Sequence, residues 1–144
     1  MIHISNRSSY VLYVHLNICQ EHNHDIFSYL IVRPSTPTIQ GTSPGSTTIQ
    51  GSEGMALMLT CTSNGGYPQQ SVVWYRRGAT ITLLTNCSRL HRHDATNDLY
   101  DATHTCTFTP TSIDDGTTFF CQSSYMDKPS LVASSEIQLM LNRE

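Results

Sequence analysis

The chain has 144 residues, 13% of them charged, and a net charge of −3, which suits one domain, or one domain with part of another, and is enough to bury a sizeable core. So light a charge excludes a general nucleic-acid or anionic-membrane binder, since both need a dense basic field. No run of about 18 apolar residues occurs, so no segment reads as a membrane-spanning helix and no direct membrane insertion is expected.

In chain order, Met1 to Arg7 leads into the apolar stretch Val11 to Leu16, which His15 interrupts. The polar run Gln20 to Asp25 follows it in place of a small-residue cleavage site, so this start does not read as a signal peptide. Ile26 to Val32 has the β-branched and aromatic content of a strand. Residues 1–33 are therefore set apart as an unassigned segment, either the end of a preceding domain or non-native sequence from an imperfect gene model. Residues 34–54, with Pro34, Pro37 and Pro44 among serines, threonines and glycines, suit a linker and an edge strand. Thr-Ile-Gln-Gly occurs at 38–41 and again at 48–51, a step too short for a repeat architecture.

From there strands are expected at the spacing of an all-β sandwich. Met55 to Cys61 alternates so that Cys61, Leu59, Leu57 and Met55 share the inward face. Residues 64–68 read as a turn. Ser71 to Tyr75 sends Val72 and Trp74 inward and Val73 and Tyr75 outward, and Thr80 to Leu84 reads as a following strand of the same sheet. The polar residues 86–103 carry no pattern that assigns them. Thr103 to Thr109 places Cys106 and Phe108 on one face, and Thr117 to Ser123 turns Phe119 and Cys121 inward and Phe120 outward. Residues 124–130 read as a loop, and Ser135 to Asn142 as a last strand with Ile137, Leu139 and Leu141 inward.

Cys61, Trp74 and Cys121, with Asp115 and Phe119 ahead of the last cysteine, resemble the Cys…Trp…Cys framework of the immunoglobulin superfamily. Cys61 to Pro68 with Trp74 is similar to the C-x-x-x-G-x-P…W pattern of C2-type domains in nephrin-like, nectin-like and B7-like cell-surface proteins. The resemblance covers about residues 34–142, within an expected C2-type domain over 34–144. It implies a two-sheet antiparallel sandwich whose strands B and F are joined by a Cys61–Cys121 disulfide packed on Trp74. It also implies an oxidising, extracellular or cell-surface setting. That setting conflicts with the absence of a leader, so the chain is expected to be a fragment of a longer, single-pass cell-surface receptor. Phe119 stands where the family has the tyrosine of its corner, so that hydroxyl is missing while the ring packing is kept.

Five cysteines leave one over, and Cys19 lies outside the sandwich region. Cys87 and Cys106 are expected to form a second bridge tying residues 86–103 to strand E; the alternative is two free buried thiols acting as small hydrophobes. No Cys-x-x-Cys or His-x-x-x-His pair accompanies them, which argues against zinc. His91, His93 and Asp94, with His104 further on, offer ligand types but no identifiable full set, and a solvated polar loop is the expectation. No Gly-x-Ser-x-Gly elbow and no phosphate loop occurs, so no enzyme and no cofactor is expected. Asn6 and Asn86 head N-glycosylation sequons, the second containing Cys87.

The expected function is recognition of, or adhesion to, another protein, a second immunoglobulin-like domain in homophilic or heterophilic contact being the partner type. Tyr75, Phe120, Tyr125 and Met126 mark the candidate face, since aromatics are enriched in contact surfaces. The other reading is a spacer domain with no ligand of its own. A contiguous apolar patch around Tyr75 and Phe120 favours the first, and polar or glycosylated faces the second.

Overall fold

The computed structural model describes the backbone of residues 2–8, 11–20, 23–43, 45–125 and 128–143, and the side chains of 31–43, 45–124 and 133–143. The strands are β1 (Ile2–Ser8), β2 (Val11–Gln20), β3 (Asn23–Val32), β4 (Thr38–Ile39), β5 (Thr48–Gly51), β6 (Leu57–Gly66) and β7 (Ser71–Arg77). They continue as β8 (Ile81–Leu83), β9 (Cys87–Asp94), β10 (Leu99–Phe108), β11 (Thr118–Tyr125), β12 (Lys128–Ala133) and β13 (Ile137–Leu141), with a 3-10 turn over Ser112–Asp114.

Two sheets make the sandwich. One runs β4-β6-β10-β9, the other β5-β13-β11-β7-β8 with β12 also on β11. These correspond to strands A, B, E, D and A′, G, F, C, C′. The second sheet extends beyond a constant-type sheet by β5 and β8, and it lacks the C″ strand of a variable-type one. Between the sheets lie Leu59, Cys61, Val72, Trp74, Ala102, Cys106, Phe119, Cys121, Ile137 and Leu139. Alternation selects this set, since each strand sends every second residue inward.

The Thr-Ile-Gln-Gly duplication has a structural use. Thr38 and Ile39 pair antiparallel with β6 in one sheet, while Thr48–Gly51 pairs parallel with β13 in the other. Ile39 and Ile49 thereby reach the same core from opposite sheets. An added Cβ at Gly51 would meet the Leu139 side chain at 3.0 Å, closer than ordinary contact.

Several expectations need correction. Met55 is 67% exposed, not inward, because Ser52 to Met55 forms a turn before β6 begins. Residues 64–66 extend β6 and are not a turn: Gly66 pairs with Tyr100, and Tyr67 then bridges to Val32. Gly65 has a positive φ of 74°, and Gln70 explains Gly66. Gln70 is fully buried, donates to the Ser63 and Tyr100 carbonyls at 2.8 Å each, and leaves no room for a Cβ on Gly66. Residues 87–94 form an edge strand, and residues 128–133 return along β11 where a loop was expected. β12 and β13 are one strand broken by a bulge. Ser134 restores the pairing there: its N–H donates to the Cys121 carbonyl at 2.8 Å, and its hydroxyl accepts the Cys121 N–H at 3.0 Å.

β1, β2 and β3 form a separate three-stranded sheet. Its end reaches the sandwich, because Val32 and Tyr67 exchange backbone hydrogen bonds of 2.8 and 3.0 Å and Ile31 is buried. A chain beginning at Ile31 is therefore expected to melt close to the full chain. One beginning at Pro34 should lose about 1–3 kcal/mol, the worth of one buried isoleucine and its neighbouring pairing. Thermal melts of both truncations check this; equal losses from both would place β1–β3 within the cooperative unit.

Candidate protein-recognition face

The framework that positions the face is built on Cys61 and Cys121, both wholly buried and joined across the sheets with Cα atoms 6.5 Å apart. Trp74 lies opposite Cys121 in the β7–β11 ladder and donates its indole N–H to the His104 carbonyl at 3.0 Å. This fixes the phase of β7 and β11. Tyr75 and Phe120, one residue on from Trp74 and one before Cys121, must therefore face away from the core, and they are directly paired.

Phe119 packs edge-on against Phe108 at 5.1 Å, keeping the ring contact of the corner without the hydroxyl. The corner is held instead by Asp114. Its buried carboxylate pairs with Arg76 and accepts the N–H and hydroxyl of Thr111 at 2.7 and 2.9 Å. The sequence motif pointed to Asp115, which serves the chain's end. It accepts the Leu141 N–H at 2.9 Å and pairs with Arg143 at 3.1 Å. The Asp-Asp doublet and an arginine on the strand carrying Trp74 were the signals available for this anchor.

On the outer face, Tyr75 and Phe120 stack at 5.4 Å with planes 17° apart. The Arg77 guanidinium lies 5.0 Å from the Phe120 centroid and is tied to Glu136 at 2.8 Å. Phe120 is consequently only 4% exposed. It is not the open contact residue that alternation alone suggested, because a stacked ring and a tethered cation cover it. The exposed apolar surface lies beside it. Leu83 pairs with Tyr75 and Ile81 with Arg77, and these two aliphatic side chains are 50% and 53% exposed. Tyr125 ends β11, and its side chain, like the whole of Met126, lies outside the described residues. The outer face of the other sheet carries a row of hydroxyls, with Thr60–Thr105 and Thr38–Thr62 contacts of 3.1 Å each, and the separate exposed side chains of Met58 and Leu90.

The remaining candidates are placed as follows. Cys87 and Cys106 are bonded, with Cα atoms 4.0 Å apart as direct cross-strand neighbours. His91 contacts the Gln70 carbonyl at 3.1 Å and His93 contacts Asp98 at 2.6 Å, so these rings are spent on local structure and do not converge. Asn86 is exposed, its carbonyl accepting the Thr107 N–H at 2.9 Å; the side chain of Asn6 lies outside the described residues. A cleft of about 690 Å³ at one end of the sandwich includes Glu53, Asp115 and Arg143. Glu53 accepts the Ser112 N–H there at 3.2 Å.

Two shifted groups set the pH response. Burial, and then the nearby Arg89 charge, holds His104 below its usual value of 6.5. The Leu141 N–H, and then Arg143, hold the Asp115 carboxyl below its usual 3.8. In both cases the unfolded chain binds the proton more readily, so stability rises with pH. The His104 contribution is complete above its unfolded value and is lost as pH falls below it; that of Asp115 is lost only at acid pH below the carboxylate range. Melting temperature should therefore fall between pH 7.5 and 5, and His104→Gln should flatten that slope. An unchanged slope in the variant would assign the titration elsewhere.

A family profile described as the CD80-like C2-set immunoglobulin domain matches residues 37–130. Among solved structures, the chain is similar to Rst D1–D2, with 18% identity and a TM-score of 0.66, covering 91% of this chain and 63% of that one. It is similar also to the mouse nectin-like molecule 4 ectodomain Ig1–Ig3, with 17% identity and a TM-score of 0.60, covering 97% of this chain and 50% of that one. At these identities the likeness shows the fold, and the chain spans less than two thirds of either. No curated protein matches. With the cysteine–tryptophan framework, the two-sheet topology and a profile match over well more than half of its length, the chain belongs to the CD80-like C2-set immunoglobulin domain family.

Proposed function

We propose that this chain is an extracellular recognition or adhesion module of a multi-domain cell-surface receptor, without catalytic activity. It meets another immunoglobulin-type domain, of its own or a different kind, through the outer face of β7, β8 and β11. The observation that carries the reading is the apolar stripe on that face. Tyr75 is held flat on Phe120, and exposed Leu83 and Ile81 lie beside it at the sheet edge. A rigid aromatic next to exposed aliphatic groups, rimmed by charges such as Arg77 and Glu136, has the anatomy of an interface centre. Two disulfides support the reading of an oxidising compartment, in which exposed Asn86 is a candidate glycan acceptor. Among the described residues, no helix is long and apolar enough to cross a membrane.

The test is adhesion of beads coated with the full chain, to one another and to cells. Tyr75→Ala with Leu83→Ala should weaken binding about 30-fold, the equivalent of about 2 kcal/mol for a central anchor. Thr105→Ala on the opposite sheet should change little. Adhesion unaffected by the double variant, with its fold intact, would favour the spacer reading.

A further inference from the structure

Residues distant in sequence meet at the β9–β10 edge. Cys87 lies opposite Cys106 and Arg89 opposite His104 in one ladder. Cys87, His104 and Cys106 present their sulfur and ring nitrogen atoms within 4.8 Å of one another, with His104 Nε2 4.0 Å from Cys106 Sγ. His104 is only 2% exposed; Nε2 is the ring nitrogen nearest Cys106 Sγ, and Nδ1, the other one, has no hydrogen-bond partner among the described residues. The trio lies at a cleft of about 500 Å³ that Leu83, Leu84, Thr85 and Arg89 help to line and onto which Cys87 and His104 open.

We infer that the Cys87–Cys106 bridge conceals a redox-gated zinc site: once the bridge is reduced, both thiolates and the His104 ring bind one Zn²⁺, with a fourth position open to the cleft. A dithiol supplies the electrons. Its thiolate attacks the half-buried Cys87 sulfur, its second thiol resolves the mixed disulfide, and it leaves as a disulfide while Cys87 and Cys106 gain two electrons and two protons. Zn²⁺ then displaces the two thiol protons. The fit is close. Zinc bonds of about 2.0–2.3 Å place a tetrahedral nitrogen and sulfur about 3.5 Å apart and two sulfurs about 3.7 Å apart. Reduction frees the two sulfurs to separate to that spacing, and His104 Nε2 lies 4.0 Å from Cys106 Sγ. Two thiolates neutralise the ion, and Arg89 offsets their charge before it arrives. Sulfur and imidazole together favour zinc over calcium or magnesium. The gate is selective, because both sulfurs of the other bridge belong to residues with no exposure.

The experiment uses the full chain with Cys19→Ser. It is treated with dithiothreitol at a concentration where peptide mapping finds Cys61–Cys121 intact, then freed of reductant and titrated with Co²⁺. The reduced chain should take up one Co²⁺ with a thiolate-to-cobalt charge-transfer absorption that Zn²⁺ discharges; the oxidised chain should take up none. Cys87→Ser should abolish the absorption, and His104→Gln should weaken metal affinity at least ten-fold. Circular dichroism reports whether each form keeps its sheet. Absence of the absorption in a folded, reduced chain would overturn the inference. So would its persistence in Cys87→Ser, an undiminished affinity in a folded His104→Gln, or unfolding when that bridge alone is reduced.

Discussion

Replacing Cys61 and Cys121 together by alanine is expected to cost about 2–5 kcal/mol, enough to leave a domain of this size marginal or unfolded at 37 °C. The bridge closes a sequence separation of 60, against 19 for Cys87–Cys106. Longer loops lose more unfolded-state freedom on closure, so the chain-entropy model gives about 4 kcal/mol for the first and about 3 kcal/mol for the second. The first change also removes two buried sulfurs from the centre of the core, beside Trp74. Denaturant midpoints of the two paired variants compare them directly. A larger loss from removing Cys87 and Cys106 would mean that the β9–β10 edge, not the link between sheets, dominates stability.

The second large effect is expected at the corner. Asp114→Ala should destabilise by about 3 kcal/mol, because it strips the counter-charge from Arg76 and two hydrogen bonds from Thr111. The Arg76 side chain is 29% exposed, which places the loss at the lower end of the range for a broken buried pair. Arg76→Met with Asp114→Ala should recover part of it, since no uncompensated charge then remains. Asp115→Ala should cost much less, its carboxylate lying nearer solvent. A double-mutant cycle measured by urea denaturation checks the coupling, and near-additivity would show that the pair does not act as a unit.

The contrast between Asp114 and Asp115 shows what the sequence could and could not disclose. The framework was legible because Leu59, Cys61, Val72, Trp74, Phe119, Cys121, Ile137 and Leu139 follow the two-residue period that burial on one face requires. β9 was not legible, because residues 88–94 are all exposed at a sheet edge and no inward set imposes a period on them. β4 and β5 are short edge strands, and their composition reads as a linker until their partners are known. Met55 fits the alternation of β6 but lies in the turn that precedes that strand. Phe120 was placed correctly on the outer face, yet its burial depends on Arg77 and Glu136, which are brought together across strands far apart in sequence. The Cys87–Cys106 bridge was expected from the sequence, but the place of His104 beside it follows only from the strand register.

The recognition face is tested most directly by two matched glycan wedges on the secreted full chain. Leu83→Asn creates a sequon with Leu84 and Thr85 on the proposed face, and Met58→Asn creates one with Leu59 and Thr60 on the opposite sheet, where Met58 is 68% exposed. With glycan occupancy verified by mass spectrometry, bead and cell adhesion should be abolished by the wedge at Leu83 and kept by the wedge at Met58. Adhesion that survives the first wedge, or is lost only with the second, would contradict docking through β7, β8 and β11.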